Sequence, residues 1–315
     1  MTSHPALLQT LVGQVPTHEA SVMMLAGPSG VGKRILAEAV AAQLLHTPST
    51  RIASHPDVSV LRPEADSRAG IITVEQARKA IASANLSPAR GGRRVLIVND
   101  VDSLNNAAAN ALLKTLEEPP RSLLALLIVD ALAEAPATLR SRARIVRVPA
   151  PDRETAITAL SAARPELTSD QVAALTDLAR NRPGRAVAMA DADGLSTYQD
   201  LVDLIRPAGQ GQRIDRVRLT RFLSERGSKP GAADMVAVLI ERLAQAATAA
   251  RGPIPAVRDE ADLLSQLAAR RSPGAWARLR IEADRLLSRA AALNMDTAGA
   301  VARILTHLDP QRDGL

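Results

Sequence analysis

The 315-residue chain has no cysteine. Disulfides, thiolate zinc ligands and cysteine nucleophiles are therefore excluded, and an oxidising compartment has no support. Aromatic residues are almost as scarce, with one Trp, one Tyr and one Phe. Three rings cannot form a base-stacking platform for nucleic acid. No apolar run reaches the roughly 18 residues that a membrane-spanning helix needs, and MTSHPALLQTLVGQV at the start lacks the basic-then-apolar order of a secretory leader. A cytoplasmic protein with no membrane partner is expected. Charge of one sign is also missing. The chain has 39 Lys and Arg against 33 Asp and Glu, a net +6 spread over both halves. That excess permits an anionic partner such as DNA without demanding one.

What is present is aliphatic. Apolar residues make up 46% of the chain, so the core is built from Ala, Leu, Val and Ile, a composition that favours helix. Strands are expected at VMMLA (22–26), VLIV (95–98), LLALLIV (123–129) and RIVRV (144–148). Helical spacing marks ILAEAVAAQLL (35–45), VEQARKAIASANL (74–86) and AAANALLKTLEE (107–118), the last stopped by Pro119-Pro120. This alternation predicts an α/β domain over 1–150, a parallel sheet flanked by helices. After PAPD (149–152) the strands stop. Three short helices are expected within 151–195 and an all-α region over 196–315, with breaks at Pro207-Ala208-Gly209, Gly227 to Gly231, Gly252-Pro253 and Ser272-Pro273-Gly274. GGRR (91–94) reads as a solvated turn before a strand.

GPSGVGKR (Gly27 to Arg34) joins the first strand to the first of these helices. It follows the phosphate-loop pattern G-x-x-x-x-G-K up to its last position. The candidate phosphate-binding residues are Gly27, Pro28, Gly30, Gly32 and Lys33: backbone N–H groups and a helix N-terminus to cradle the phosphates, and a lysine to reach them. The pattern then requires Ser or Thr, whose hydroxyl holds Mg²⁺, and this chain has Arg34. The end of the second strand should offer an Asp that supports the metal, followed by a Glu that polarises water. Asn99 and Asp100 stand there instead. A divalent cation beside Arg34 is repelled. ATP or ADP binding stays open on these residues, but with no proper magnesium site and no expected hydrolysis.

HPDV (55–58), AAANALLKTLEEPP (107–120) and LRSRAR (139–144), in this order, resemble the clamp-loader subunits of bacterial DNA polymerase III over about residues 5–190. NALLKTLEEPP is shared with the gamma/tau family. That family keeps the loop Ser/Thr and the Asp–Glu pair, so the chain is more similar to the delta-prime family, the catalytically silent one. The resemblance implies an AAA+ module with a nucleotide-type domain (1–150), a three-helix lid (151–195) and a helical collar (196–315). It also implies a heteropentamer with delta and gamma/tau that loads the beta sliding clamp on primed DNA. The family's Ser-Arg-Cys motif stands here as Ser141-Arg142-Ala143, and the implied role of Arg142 is an arginine finger reaching a neighbour's ATP site. The family's four-Cys zinc module is replaced by HTPSTRIAS (46–54), so no zinc is expected. Gly184-Arg185 lies near the place of a second-sensor arginine, one position out of register.

Arg140, Arg142 and Arg144 alternate, which on an extended segment puts them on one face. Asn110, Lys114 and Glu117 share a helix face, with Lys114 and Glu117 able to pair across one turn. His55 and Asp57 read as structural groups at the entry to a strand, and Trp276 as a packing anchor. Two rival functions are an active AAA+ ATPase of the gamma/tau or a related motor type, and a stand-alone DNA-binding regulator.

Overall fold

A computed structural model describes residues 2–16, 19–64, 70–89, 92–227, 231–249, 252–292 and 297–310. The chain divides into two units, Met1–Ala159 with Asn181–Arg185, and Leu160–Arg180 with Ala186–Leu315.

The first unit is a parallel five-stranded sheet, β1 (Ser21–Ala26), β2 (Val58–Leu61), β3 (Arg94–Val98), β4 (Leu123–Val129) and β5 (Arg144–Arg147), in the order β2-β3-β4-β1-β5. Its helices are α1 (Pro5–Gln14), α2 (Lys33–Leu44), α3 (Val74–Ala84), α4 (Asn106–Glu117) and the short α5 (Ala137–Arg140). Every residue of β3 and β4 is buried, as expected for strands covered on both faces. Successive side chains go to opposite faces. Met23 and Leu25 pack with Leu8, Leu11, Leu36 and Val40 under α1 and α2. Met24 and Ala26 pack with Ala77, Leu112 and Leu116 under α3 and α4. Helix starts follow local chemistry. Thr73 and Gln76 form a capping box on α3, and the Asn105 side chain caps α4 by accepting from Ala108 N–H at 2.8 Å. The parallel strand–helix alternation read from the sequence is borne out. Helix α1 is outside the elements expected from the sequence, and strand β2 is implied there only by the reading of His55 and Asp57 at a strand entry. The first is buried only through Leu8 and Leu11, and the second is four residues long.

The arginines of GGRR are not solvated, and Gly91 lies outside the described residues. Arg93 and Arg94 are buried. Arg94 donates to Pro56 O and Ser87 O, both at 2.9 Å, and lies 3.5 Å from the Asp57 carboxylate. Asp57 also accepts from Ala89 N–H at 2.6 Å, and His55 Nδ1 from Asp57 N–H at 3.2 Å. These groups tie the two segments that enter β2 and β3, the structural role expected of His55 and Asp57. The stretch 46–54 contains a 3₁₀ helix, Ser49–Ser54.

Helix α6 (Arg153–Ala163) carries the boundary between the units, and α7 (Ser169–Leu178), α8 (Pro183–Asp191), α9 (Gly194–Gly209), α10 (Arg216–Phe222), α11 (Ala232–Thr248), α12 (Glu260–Ala268), α13 (Pro273–Ala292) and α14 (Thr297–Thr306) follow. In the second unit α11 packs against α9, α12, α13 and α14. One expected break is wrong. Helix α9 runs through Pro207 and ends at Gly209. A proline inside a helix costs about 3 kcal/mol, but burial of Leu201, Val202, Leu204, Ile205 and Ala208 carries the helix through its last turn. Trp276 is a packing anchor as expected, buried with its indole N–H donating to Ala268 O at 3.2 Å. The polar centre of this unit is Glu260. Its carboxylate accepts from Tyr198 O–H at 2.8 Å, Arg242 Nε at 2.5 Å and Ala256 N–H at 2.6 Å.

Candidate functional site

The loop leaves β1 at the carboxyl edge of the sheet, where ligands of open α/β folds bind. Its glycines are held by the protein's own backbone. A Cβ on Gly27 would lie 2.0 Å from Val148 O, because the chain leaving β5 crosses there, with Val148 N–H donating to Ala26 O at 2.8 Å. Gly30 has φ +80°, its carbonyl accepts from Gly184 N–H at 2.8 Å, and a Cβ on it would meet Arg185 N at 2.6 Å. Gly32 is the N-cap of α2. Pro28 contributes its carbonyl to the lysine that follows.

Lys33 is almost fully buried. Its ammonium donates to Gly27 O at 2.6 Å, Pro28 O at 3.0 Å and Asp130 Oδ1 at 2.6 Å. All three of its protons therefore have acceptors within the unit. Asp130 directly follows β4, and the available signal for it was a carboxylate closing the all-apolar run LLALLIV. Arg34 points outward, 59% exposed, 3.5 Å from Glu38. Together with Arg62, Pro63, Asn99, Asp100 and Ile128 it lines an open depression of about 430 Å³. Asn99 is 6% exposed, and its Oδ1 has no hydrogen-bond partner among the described residues. Asp100 stands in a left-handed backbone conformation. Burial, then the charges of Asp102 and Asp130, raise its carboxyl above the ordinary value, against the pull of Lys33 and Arg34. The structure thus brings Gly27, Pro28, Gly30, Gly32 and Lys33 into one loop. Beside them stand a cation, Arg34, and a neutral amide, Asn99.

The three alternating arginines do not share a face. Arg140 ends α5 and donates to Leu132 O, Arg144 opens β5 and bonds Gln14, and Arg142 lies in the turn between them. The chain is helical and then turning here, so the extended-strand periodicity does not apply. Arg142 Nη1 donates to Thr138 O at 2.8 Å and Ser141 Oγ at 3.2 Å, and Nη2 lies 2.5 Å from Glu117 Oε1. Glu117 therefore pairs with Arg142 from another element, not with Lys114 on its own helix as the spacing suggested. No helix among the described residues is long and apolar enough to cross a membrane, and no metal-binding cluster of His, Asp and Glu occurs among them.

Residues 4–152 match the family described as "DNA polymerase III, delta subunit". The chain is similar to the DNA polymerase III subunit delta' of Pseudomonas aeruginosa, with 33% identity over 178 residues that cover 52% of this chain and 54% of the relative. With the subunit delta' of Escherichia coli it shares 34% identity over 148 residues, covering 47% and 43%. The chain thus matches about half the length of each relative. Among solved structures, a gamma subunit-related protein of Thermotoga maritima superposes over 98% of both chains with a TM-score of 0.53 at 15% identity, which shows the fold.

Proposed function

We propose, from the similarity of this chain to DNA polymerase III delta-prime subunits, that it is a non-hydrolysing member of a bacterial clamp loader. Residues 151–195 serve as its lid and 196–315 as its collar. It assembles with delta and gamma/tau into a heteropentamer that places the beta clamp on primed DNA. The observation that carries the silent role is Lys33, whose ammonium is saturated by Gly27 O, Pro28 O and Asp130. Arg34 and Asn99 stand at the two positions that would support magnesium. These residues do not fit a magnesium nucleotide, and the loop acts as a structural turn that fixes β1 against α2.

The contribution to chemistry is made in trans. Arg142, in its surface turn, is the arginine finger that neutralises charge at the neighbouring gamma/tau site, where ATP binds and magnesium chemistry takes place. A guanidinium suits this role because it stays charged and its donors lie in a rigid plane. The test is reconstitution: the chain mixed with gamma/tau and delta forms one species of pentamer mass, and Arg142→Ala lowers its clamp-stimulated ATPase by at least about tenfold, a threshold set well below the roughly 10³–10⁵ that such fingers contribute, without preventing assembly. Failure to co-assemble, or magnesium-dependent ATP turnover by the isolated chain, overturns the reading.

A further inference from the structure

Glu117 is the last residue of α4 and about half exposed. A carboxylate at a helix C-terminus faces the negative end of the helix dipole, where a cation is preferred. Its position is explained by what it touches, the guanidinium of Arg142 from the turn after α5, at 2.5 Å. Thr138 O and Ser141 Oγ hold the other terminal nitrogen of the same group. Three contacts thus fix a side chain that would otherwise sample many rotamers. Two of the three come from the adjacent α5 and Arg142's own turn. The third, from NALLKTLEEPP, ties the finger to the rigid α/β core.

We infer that Glu117 is a positioning residue for Arg142. It holds the guanidinium in one orientation on the subunit surface, so that a neighbour's phosphate meets a pre-set cation. This inference rests on the finger role proposed above for Arg142. An exposed carboxylate contact of this kind is worth only about 0.2–1 kcal/mol, weak enough for the guanidinium to exchange it for a phosphate dianion. Glu117 acts through reach. Gln spans the same distance and still accepts a hydrogen bond, whereas Asp keeps the charge but is one methylene short.

The experiment measures steady-state clamp-stimulated ATPase of the reconstituted pentamer carrying Arg142→Ala, Glu117→Ala, Glu117→Asp or Glu117→Gln. Glu117→Ala and Glu117→Asp are expected to lower kcat about two- to fivefold, the range of the lost contact, with KM for ATP and pentamer assembly unchanged. Glu117→Gln should stay within about twofold of wild type. If Glu117→Ala does not fold, Glu117→Asp carries the same test. An effect of Arg142→Ala with none of Glu117→Ala or Glu117→Asp overturns the inference and leaves the finger. A raised kcat in these variants, or a change in KM alone, also overturns it. No effect of Arg142→Ala removes both.

Discussion

Substituting Glu260 by Gln tests how far the second unit depends on a buried charge. Glu260 is fully buried, and Arg242 is 5% exposed. Gln keeps the shape and one acceptor, but it places an amide NH₂ where Glu260 Oε2 now accepts from Ala256 N–H at 2.6 Å. It also leaves the Arg242 guanidinium without a counter-charge, facing only neutral acceptors, the new amide oxygen and Ile254 O at 2.6 Å. Removing one member of a buried ion pair costs about 3–5 kcal/mol, because the other charge stays desolvated. With a urea slope of about 2 kcal/mol per molar, the midpoint should fall by roughly 1.5–2.5 M. The lone Trp276, buried in the same unit, gives a fluorescence signal that reports this unit's unfolding. Replacing both partners, Arg242→Met with Glu260→Leu, should recover part of the loss, since no charge is stranded, although Tyr198 O–H and Ala256 N–H lose their acceptor. A midpoint shift below about 0.5 M for Glu260→Gln, or a double variant no better than the single, would refute the argument.

Other outcomes follow from the same geometry. Lys33→Met keeps the buried stem, loses three hydrogen bonds and strands two loop carbonyls. Calorimetry should show a loss of about 2 kcal/mol after allowing for the half-exposed Asp130, which rehydrates. Gly30→Ala should destabilise the first unit more than Gly92→Ala, because a Cβ at Gly30 meets Arg185 N at 2.6 Å while nothing lies within 4 Å at Gly92; paired urea titrations decide this. Burial, then the Glu260 charge, hold the Tyr198 phenol well above its ordinary 10.0. The native state therefore keeps that proton more tightly than the unfolded chain does. Its contribution is full below pH 10 and is lost as pH rises above that value, so Tyr198→Phe should flatten the alkaline limb of a stability–pH curve. The raised Asp100 carboxyl has the same sign. Asp100→Asn should raise the denaturation midpoint at pH 7, and the gain should vanish below the ordinary carboxylate value of 3.8.

The sequence by itself determined the parts whose physics is local. A strand buried on both faces must be apolar throughout, so LLALLIV and VLIV were legible as sheet, and the turn between VMMLA and the next helix announced itself by its glycines. Arg34, at the last position of the loop pattern, and Asn99, at the end of VLIV, were legible too as departures from the residue types that a magnesium nucleotide requires. Tertiary structure decided which charge meets which. Lys33 and Asp130 are 97 residues apart and meet because β1 lies beside β4. Glu117 turns from Lys114 to Arg142 because the turn after α5 brings a cation to the end of α4. Arg93 and Arg94 look like a solvated patch in the sequence and are buried because backbone carbonyls of distant segments surround them. Pairing of this kind depends on strand order and on the crossing of remote segments, and neither leaves a period or a spacing in the chain to be read.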